Sequence, residues 1–320
     1  MPFGGVERSV ARLDVVVLGG AAMDWVAEVE SLPPADGLAL AHTFTRHPGG
    51  SAANVAVGLA RLGYRVAFAG KVGDDEPGRL LCQAFEQEGV DTELMRVEAG
   101  RPTATCFIAL DARGQRVVFS LPGASLFETA AEMDPGWMRG ARVLYLGPAY
   151  VHVAAAATEI AHEEGVTIFY APGSGWGPEG LSILRPILDV ADVLLVSQAE
   201  ATALAGDATP EDALRTLVAT GVPVVVETLG AHGVVVATGK RSFRVPALAV
   251  TGVRDTTGAG DAFAAGLVAG FLDGLGWEAS ARLGSVVAAL KVRYLGARNG
   301  LPVRGEVESF MAQFQEGGET

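Results

Sequence analysis

Cysteine is scarce: Cys82 and Cys106 are the two in a chain of 320 residues. Two thiols cannot build a disulfide framework, and their apolar surroundings favour buried thiols in a reducing compartment. Histidine is almost as rare, and His42, His47, His152, His162 and His232 lack metal-ligand spacing, so no zinc centre is expected. Basic side chains are also outnumbered. The 24 Lys and Arg against 37 Asp and Glu leave a formal charge of −13, which opposes non-specific attraction to nucleic acid or an anionic membrane. Long apolar runs are missing: the longest, 262–272, falls far short of the ~20 residues that cross a bilayer. Residues 1–14 hold Glu7, Arg8 and Arg12 but no apolar stretch before a small-residue cleavage site, so no signal peptide is expected. A cytoplasmic protein is the expectation.

Glycine, by contrast, is abundant at 42 residues, with 16 prolines, and 49% of the chain is hydrophobic. So much punctuation means many short elements and backbone-built sites. Short Val/Leu/Ile runs alternate with Ala-rich helical stretches at 14–20, 51–62, 65–70 and 77–88. The rhythm resumes at 143–146, 154–164, 166–170, 181–189, 193–196, 222–227 and 234–237, and ends in two long helices, 258–272 and 277–295. Strand followed by helix, repeated, predicts an α/β fold with a doubly wound, mainly parallel sheet flanked by helices. Two stretches break the pattern. Residues 25–46 lack a helical period, and 103–121 alternate as two strands about Asp111-Ala112-Arg113-Gly114. They predict a small antiparallel β lid packed over the sheet edge of a single domain spanning 1–320. Its exposed edges are a template for a second copy, so a homodimer through the lid is expected. Phe107 and Phe119 alternate within it, either packing on the sheet or covering a ligand, and Glu159, Glu163 and Glu164 read as a solvated helix face. The Gly/Glu-rich end after Gln315 is expected to fray.

The densest chemistry lies in Asp255-Thr256-Thr257-Gly258-Ala259-Gly260-Asp261-Ala262-Phe263. Small residues before a helix direct free backbone amides and the positive helix end to one spot, which suits a transferring phosphoryl group. Asp261 in the first turn is placed to take a proton from an attacking hydroxyl. The plainer alternative is a helix-start acid. A second loop, Pro48-Gly49-Gly50-Ser51-Ala52-Ala53-Asn54, also opens a helix: Gly49 and Gly50 allow close ligand approach, and Asn54 is either a partner for a hydroxylated compound or part of an ordinary helix start. Asp24 follows the first strand, where ligands of open α/β sheets bind, and a carboxylate there accepts sugar hydroxyls. The run Gly19-Gly20-Ala21-Ala22-Met23-Asp24 lacks the dinucleotide fingerprint.

On these motifs the chain resembles the ribokinase-like, phosphofructokinase-B type carbohydrate and nucleoside kinases, from Val15 to about Phe310. The resemblance implies an ATP- and Mg²⁺-dependent kinase acting on a sugar or sugar acid, with a nucleoside as the alternative acceptor and a non-catalytic ligand-binding relative as the rival. It implies that Asp261 is the catalytic base and that the amides of Gly258, Ala259 and Gly260 form the anion hole. It assigns Thr228, Gly230, Gly233, Asp255 and Thr256 to the nucleotide, Glu200 to organising Mg²⁺, and Asp24, Gly49, Gly50 and Asn54 to the acceptor. Asp255 resembles the acidic residue beside the family's monovalent-cation loop. Two departures stand out: Ser197 replaces the Asn of the N-x-x-E motif, and Ala171-Pro172 replaces Asp-Pro.

Overall fold

A computed structural model describes residues 13–239 and 241–316. The segment holding Glu7, Arg8 and Arg12, and the Gly/Glu-rich end beyond Glu316, lie outside the described residues. In chain order the strands are β1 (Val15–Leu18), β2 (Ala22–Val29), β3 (Ala41–Gly49), β4 (Val66–Gly73), β5 (Met95–Glu98), β6 (Thr105–Asp111), β7 (Arg116–Leu121), β8 (Val143–Leu146), β9 (Thr167–Tyr170), β10 (Val193–Ser197), β11 (Val224–Thr228), β12 (Val234–Thr238) and β13 (Arg241–Val245). The α-helices are α1 (Ser51–Arg61), α2 (Glu76–Gln87), α3 (Val151–Glu163), α4 (Gly180–Ile183), α5 (Arg185–Leu188), α6 (Gln198–Leu204), α7 (Pro210–Val218), α8 (Ala259–Leu272), α9 (Trp277–Lys291) and α10 (Arg304–Glu316).

Nine strands form one sheet in the order β5-β4-β1-β8-β9-β10-β11-β12-β13. Pairings from β5 to β11 are parallel, and only the hairpin edge at β12 and β13 is antiparallel. The sheet is buried on both faces, which is why its strands read as unbroken apolar runs rather than alternations. In β1, Val15 and Val17 join the core beneath α1, α2, α8 and α9, whereas Val16 and Leu18 face the core beneath α3, α6 and α7. Order reverses at β1, with β4 on one side and β8 on the other, so a crevice opens where these strands end. Helix α8 lies on that side. Every residue from Ala262 to Gly270 is buried, so the helix is fixed all round and its N-terminus is a rigid platform.

Four further strands form a separate small sheet in the order β3-β2-β6-β7. It consists of two antiparallel hairpins joined by a parallel pairing of β2 with β6. The β6–β7 turn forms as its residues suggest, with the Asp111 carboxylate accepting the amides of Arg113 (2.9 Å) and Gln115 (2.8 Å). Several expectations change in detail. The stretch 181–189 divides into α4 and α5 about Leu184, with Pro186 in the first turn of α5. Helix α9 ends at Lys291, and the next residues turn back toward α8. Cys82 and Cys106 are free and half-buried rather than fully buried, and burial still pushes both thiols up. Among the described residues no helix is long and apolar enough to cross a membrane.

Candidate active site

Asp261 stands in the first turn of α8 behind Gly258, whose left-handed backbone (φ 77°) starts the helix. A Cβ at Gly258 would lie 2.6 Å from the Ala297 carbonyl oxygen, so only glycine lets the loop sit this close to the segment after α9. No side chain caps this helix end. Among the described residues the Gly258 and Gly260 amides lack a backbone acceptor, whereas the Ala259 amide donates to Thr256 at 3.1 Å. The expected anion hole thus has two amides to offer, beside the positive helix end.

Both oxygens of Asp261 are held from α1. Ser51 Oγ donates to Oδ1 at 2.6 Å and Asn54 Nδ2 donates to Oδ2 at 2.7 Å. Residues three apart share a helix face, so the Gly49–Asn54 motif delivers two donors at once. Arg298 sets the Asn54 amide: its Nε donates to Asn54 Oδ1 at 3.0 Å while its Nη2 donates to the Gly49 carbonyl at 3.0 Å. Burial pushes the Asp261 carboxyl up, and the two hydrogen bonds with the charges of Lys291 and Arg298 oppose the rise. Burial likewise pushes Arg298 down to about 10.

Asp24 lies inside β2, opposite His47 and Cys106. Burial pushes its carboxyl up, against a hydrogen bond from Cys106 and the charges of Arg298, His47 and Arg116. A Cβ at Gly49 would fall 2.2 Å from Asp24 Oδ2, so the paired-glycine loop is shaped around this carboxylate. A cleft of about 350 Å³ opens between the sheets, lined by Gly20, Gly50, Ser51, Cys106 and Ser120. Ser51 joins this cleft to Asp261.

The residues expected to meet the nucleotide are more dispersed. Thr228 ends β11, and Gly230 and Gly233 shape the turn into β12, where the Leu229 amide donates to the Gly233 carbonyl at 2.7 Å. None of the three lines the cleft. Asp255 and Thr256 line another cavity, of about 490 Å³, between the small sheet and residues 253–257. Arg116 of β7 crosses to the Thr257 hydroxyl there. Glu200 forms a capping box with Ser197: Ser197 N donates to Glu200 Oε2 at 2.7 Å and Glu200 N donates to Ser197 Oγ at 3.3 Å. Glu200 opens α6 just past β10, and Ser51, which holds Asp261, follows Gly50, packed against Gly20 just past β1, so both carboxylates lie beyond the carboxyl ends of parallel strands. Burial pushes the Tyr145 phenol up, and the charges of Asp261 and Glu200 add to the rise.

Residues 12–304 match the profile of the pfkB family carbohydrate kinases. The chain belongs to that family. It is similar to fructokinase-1 of Oryza sativa subsp. japonica, at 33% identity over 93% of this chain and 97% of the relative. It is also similar to 2-dehydro-3-deoxygluconokinase of Bacillus subtilis, at 30% identity over 94% and 96% of the two chains. Its fold matches Arabidopsis thaliana ribokinase complexed with ribose and ATP, with a TM-score of 0.84 and 26% identity over 94% of this chain and 99% of that one. This carbohydrate kinase is therefore a phosphotransferase that uses ATP and acts on a hydroxyl of a sugar or sugar acid. Motif reading missed Ser51, Arg298 and Arg116 as site residues. Ser51 carried a signal, three residues before Asn54 in the same motif. Arg298 and Arg116 carried none of their own, because each acts across a long stretch of chain on a segment that only the fold brings near.

Proposed function

We propose that this kinase phosphorylates a neutral monosaccharide, with Asp261 as the base that takes the acceptor's proton. The observation that carries the reading is Asp261 itself: a carboxylate with raised proton affinity, both oxygens held from α1, at the amide-bearing end of α8 and next to the cleft. The acceptor O–H proton passes to this carboxylate as the oxygen forms its bond to the γ-phosphorus, and the bond from that phosphorus to the bridging oxygen breaks to leave ADP. The amides of Gly258 and Gly260 receive the charge spreading over the phosphoryl oxygens. Asp24 accepts the acceptor's hydroxyls, the loop at Gly49 and Gly50 lets the sugar approach, and Asn54 serves chiefly to hold Asp261. The turn at Thr228, Gly230 and Gly233, with Asp255 and Thr256, supports the nucleotide.

Mg²⁺ keeps much of its water and is held largely by substrate phosphates, so one or two carboxylates suffice for it. Glu200, past the carboxyl end of β10 and so at the same end of the sheet as Asp261, would meet that need, and the ion would neutralise charge developing on the phosphates. Ser197 replaces the family's Asn but caps α6, so it keeps Glu200 in place.

Arg101 is the cation among the residues lining the cleft, and it is already bridged to Glu98 and Glu128. That leaves little to pair with a substrate carboxylate and favours a neutral sugar. Acceptor-dependent ADP release across neutral sugars, sugar acids and nucleosides tests the reading. Neutral sugars should turn over fastest. A preference for nucleosides would move the acceptor class, and sugar binding without any ADP release would make the chain a non-catalytic relative.

A homodimer forms through the small sheet, by its outer face rather than its edges. Trp25, Phe44, Phe107 and Phe119 run across that face with ring centroids 5.5, 6.4 and 6.2 Å apart, and Phe44 and Phe119 are each 57% exposed. The opposite face carries Asp24 and Cys106 toward the site. An apolar aromatic row so exposed calls for a self-complementary partner. A cytoplasmic location suits an ATP consumer with two free thiols.

A further inference from the structure

The loop that bears the anion-binding amides rests on the residues following α9. Arg254 N and Asp255 N donate to the Val292 carbonyl at 2.9 and 3.2 Å. The Asp255 carboxylate accepts the amides of Thr257 and Gly296, each at 2.8 Å. Under this loop ends Lys291, the last residue of α9, with 0% of its surface exposed. Its Nζ donates to the Asp255 carbonyl oxygen at 3.1 Å.

The family resemblance implies a monovalent cation beside Asp255. The residues present do not fit one, because the fully buried Lys291 ammonium already stands at the Asp255 carbonyl oxygen and would repel a second cation beside it. We propose that the Lys291 ammonium is the resident cation of the 255–258 loop, so that the enzyme works without a bound monovalent metal ion. An ammonium group matches potassium in charge and roughly in size, and here it donates to the Asp255 carbonyl oxygen. Tethered to α9, it cannot dissociate. The charges of Asp255 and Asp261 offset part of the cost of its burial. Burial still lowers its proton affinity, with Arg116 adding to the fall, so the test is read near neutral pH.

The turnover part rests on the kinase reading, whereas the thermal part does not. Unfolding temperature and turnover are measured in potassium, sodium, ammonium and tetramethylammonium chlorides at one ionic strength, for the parent, Lys291→Ala and Lys291→Met. The parent should behave alike in all four salts. Without small cations the variants should lose about 10–100-fold in turnover, the scale of cost for a displaced reacting group. Potassium or added methylammonium should restore turnover and raise the unfolding temperature of Lys291→Ala. Selective stabilisation or activation of the parent by potassium would overturn the proposal. So would a folded Lys291→Met with parental turnover in tetramethylammonium, or folded variants that lose turnover and respond to no cation. If neither variant folds, the parent's salt response decides alone. If no sugar is turned over, the kinase reading fails and the thermal comparison still decides the place of the ammonium.

Discussion

At the scale of single residues, Asp261 is held by one group that can reverse its role and one that cannot. The Ser51 hydroxyl can either donate or accept, whereas Arg298 on the carbonyl side of Asn54 fixes that amide as a donor. In Asp261→Asn the new carbonyl can therefore accept from Asn54 while the new amide donates to Ser51. The substitution also removes a buried charge. Its expected result is an unfolding temperature at neutral pH no lower than the parent's, ATP affinity within a few-fold, and a kcat lower by about 10²–10⁴-fold, the value of lost general-base help. A calorimetric scan beside a steady-state assay checks this, and parental turnover would remove Asp261 from catalysis. Because burial raises the Asp261 carboxyl, its base form is lost as pH falls through a value above the ordinary ~3.9. The acid limb of kcat/KM should accordingly lie above that value and vanish in Asp261→Asn. The linkage has the opposite sign for folding: a carboxyl whose pKa is raised in the folded state contributes stability at low pH and loses it as pH rises through the folded pKa. Arg298→Met would leave Asn54 Oδ1 and the Gly49 carbonyl without their donor, at about 1–3 kcal/mol for each acceptor that stays buried. Urea unfolding measures that cost.

At the scale of elements, Arg116 of the small sheet hydrogen-bonds Thr257 in the loop before α8. If that contact opens and re-forms as the small sheet moves, closure over the acceptor would exclude water. Amide exchange in β6 and β7 should slow when acceptor is added while β1 and β8 remain unchanged. Equal exchange with and without saturating acceptor would argue against a moving lid. The same elements show what could be read from sequence. The strands buried on both faces were legible as Val-rich runs, and the two hairpins as breaks in a helical rhythm. Edge strand β5, with Arg96 and Glu98 among its four residues, carries no such run. The parallel pairing of β2 with β6 is a register between distant segments, which no local pattern encodes. Asp261 and Asn54 were visible as motif members. Their mutual hydrogen bond was not, since 207 residues separate them.

At the scale of the whole molecule, the aromatic row across the small sheet faces away from the cleft, so the proposed pairing of two copies and the proposed binding of acceptor would use opposite faces of the same four strands. Light scattering at micromolar concentration should give the mass of two chains. Phe119→Asp combined with Phe44→Asp should give one, by placing charges in the apolar row. A parent that scatters as a single chain would end the dimer assignment. The separations within the active site also bear on synthesis. Ser51 and Asp261 lie 210 positions apart, and Arg298 lies 244 positions beyond Asn54. A ribosome must release most of the polypeptide before Asp261 can meet its α1 partners. Chains stalled before α8 would carry Asp24 and the α1 donors Ser51 and Asn54, but neither Asp261 nor the α8 and α9 side chains that complete the core around α1.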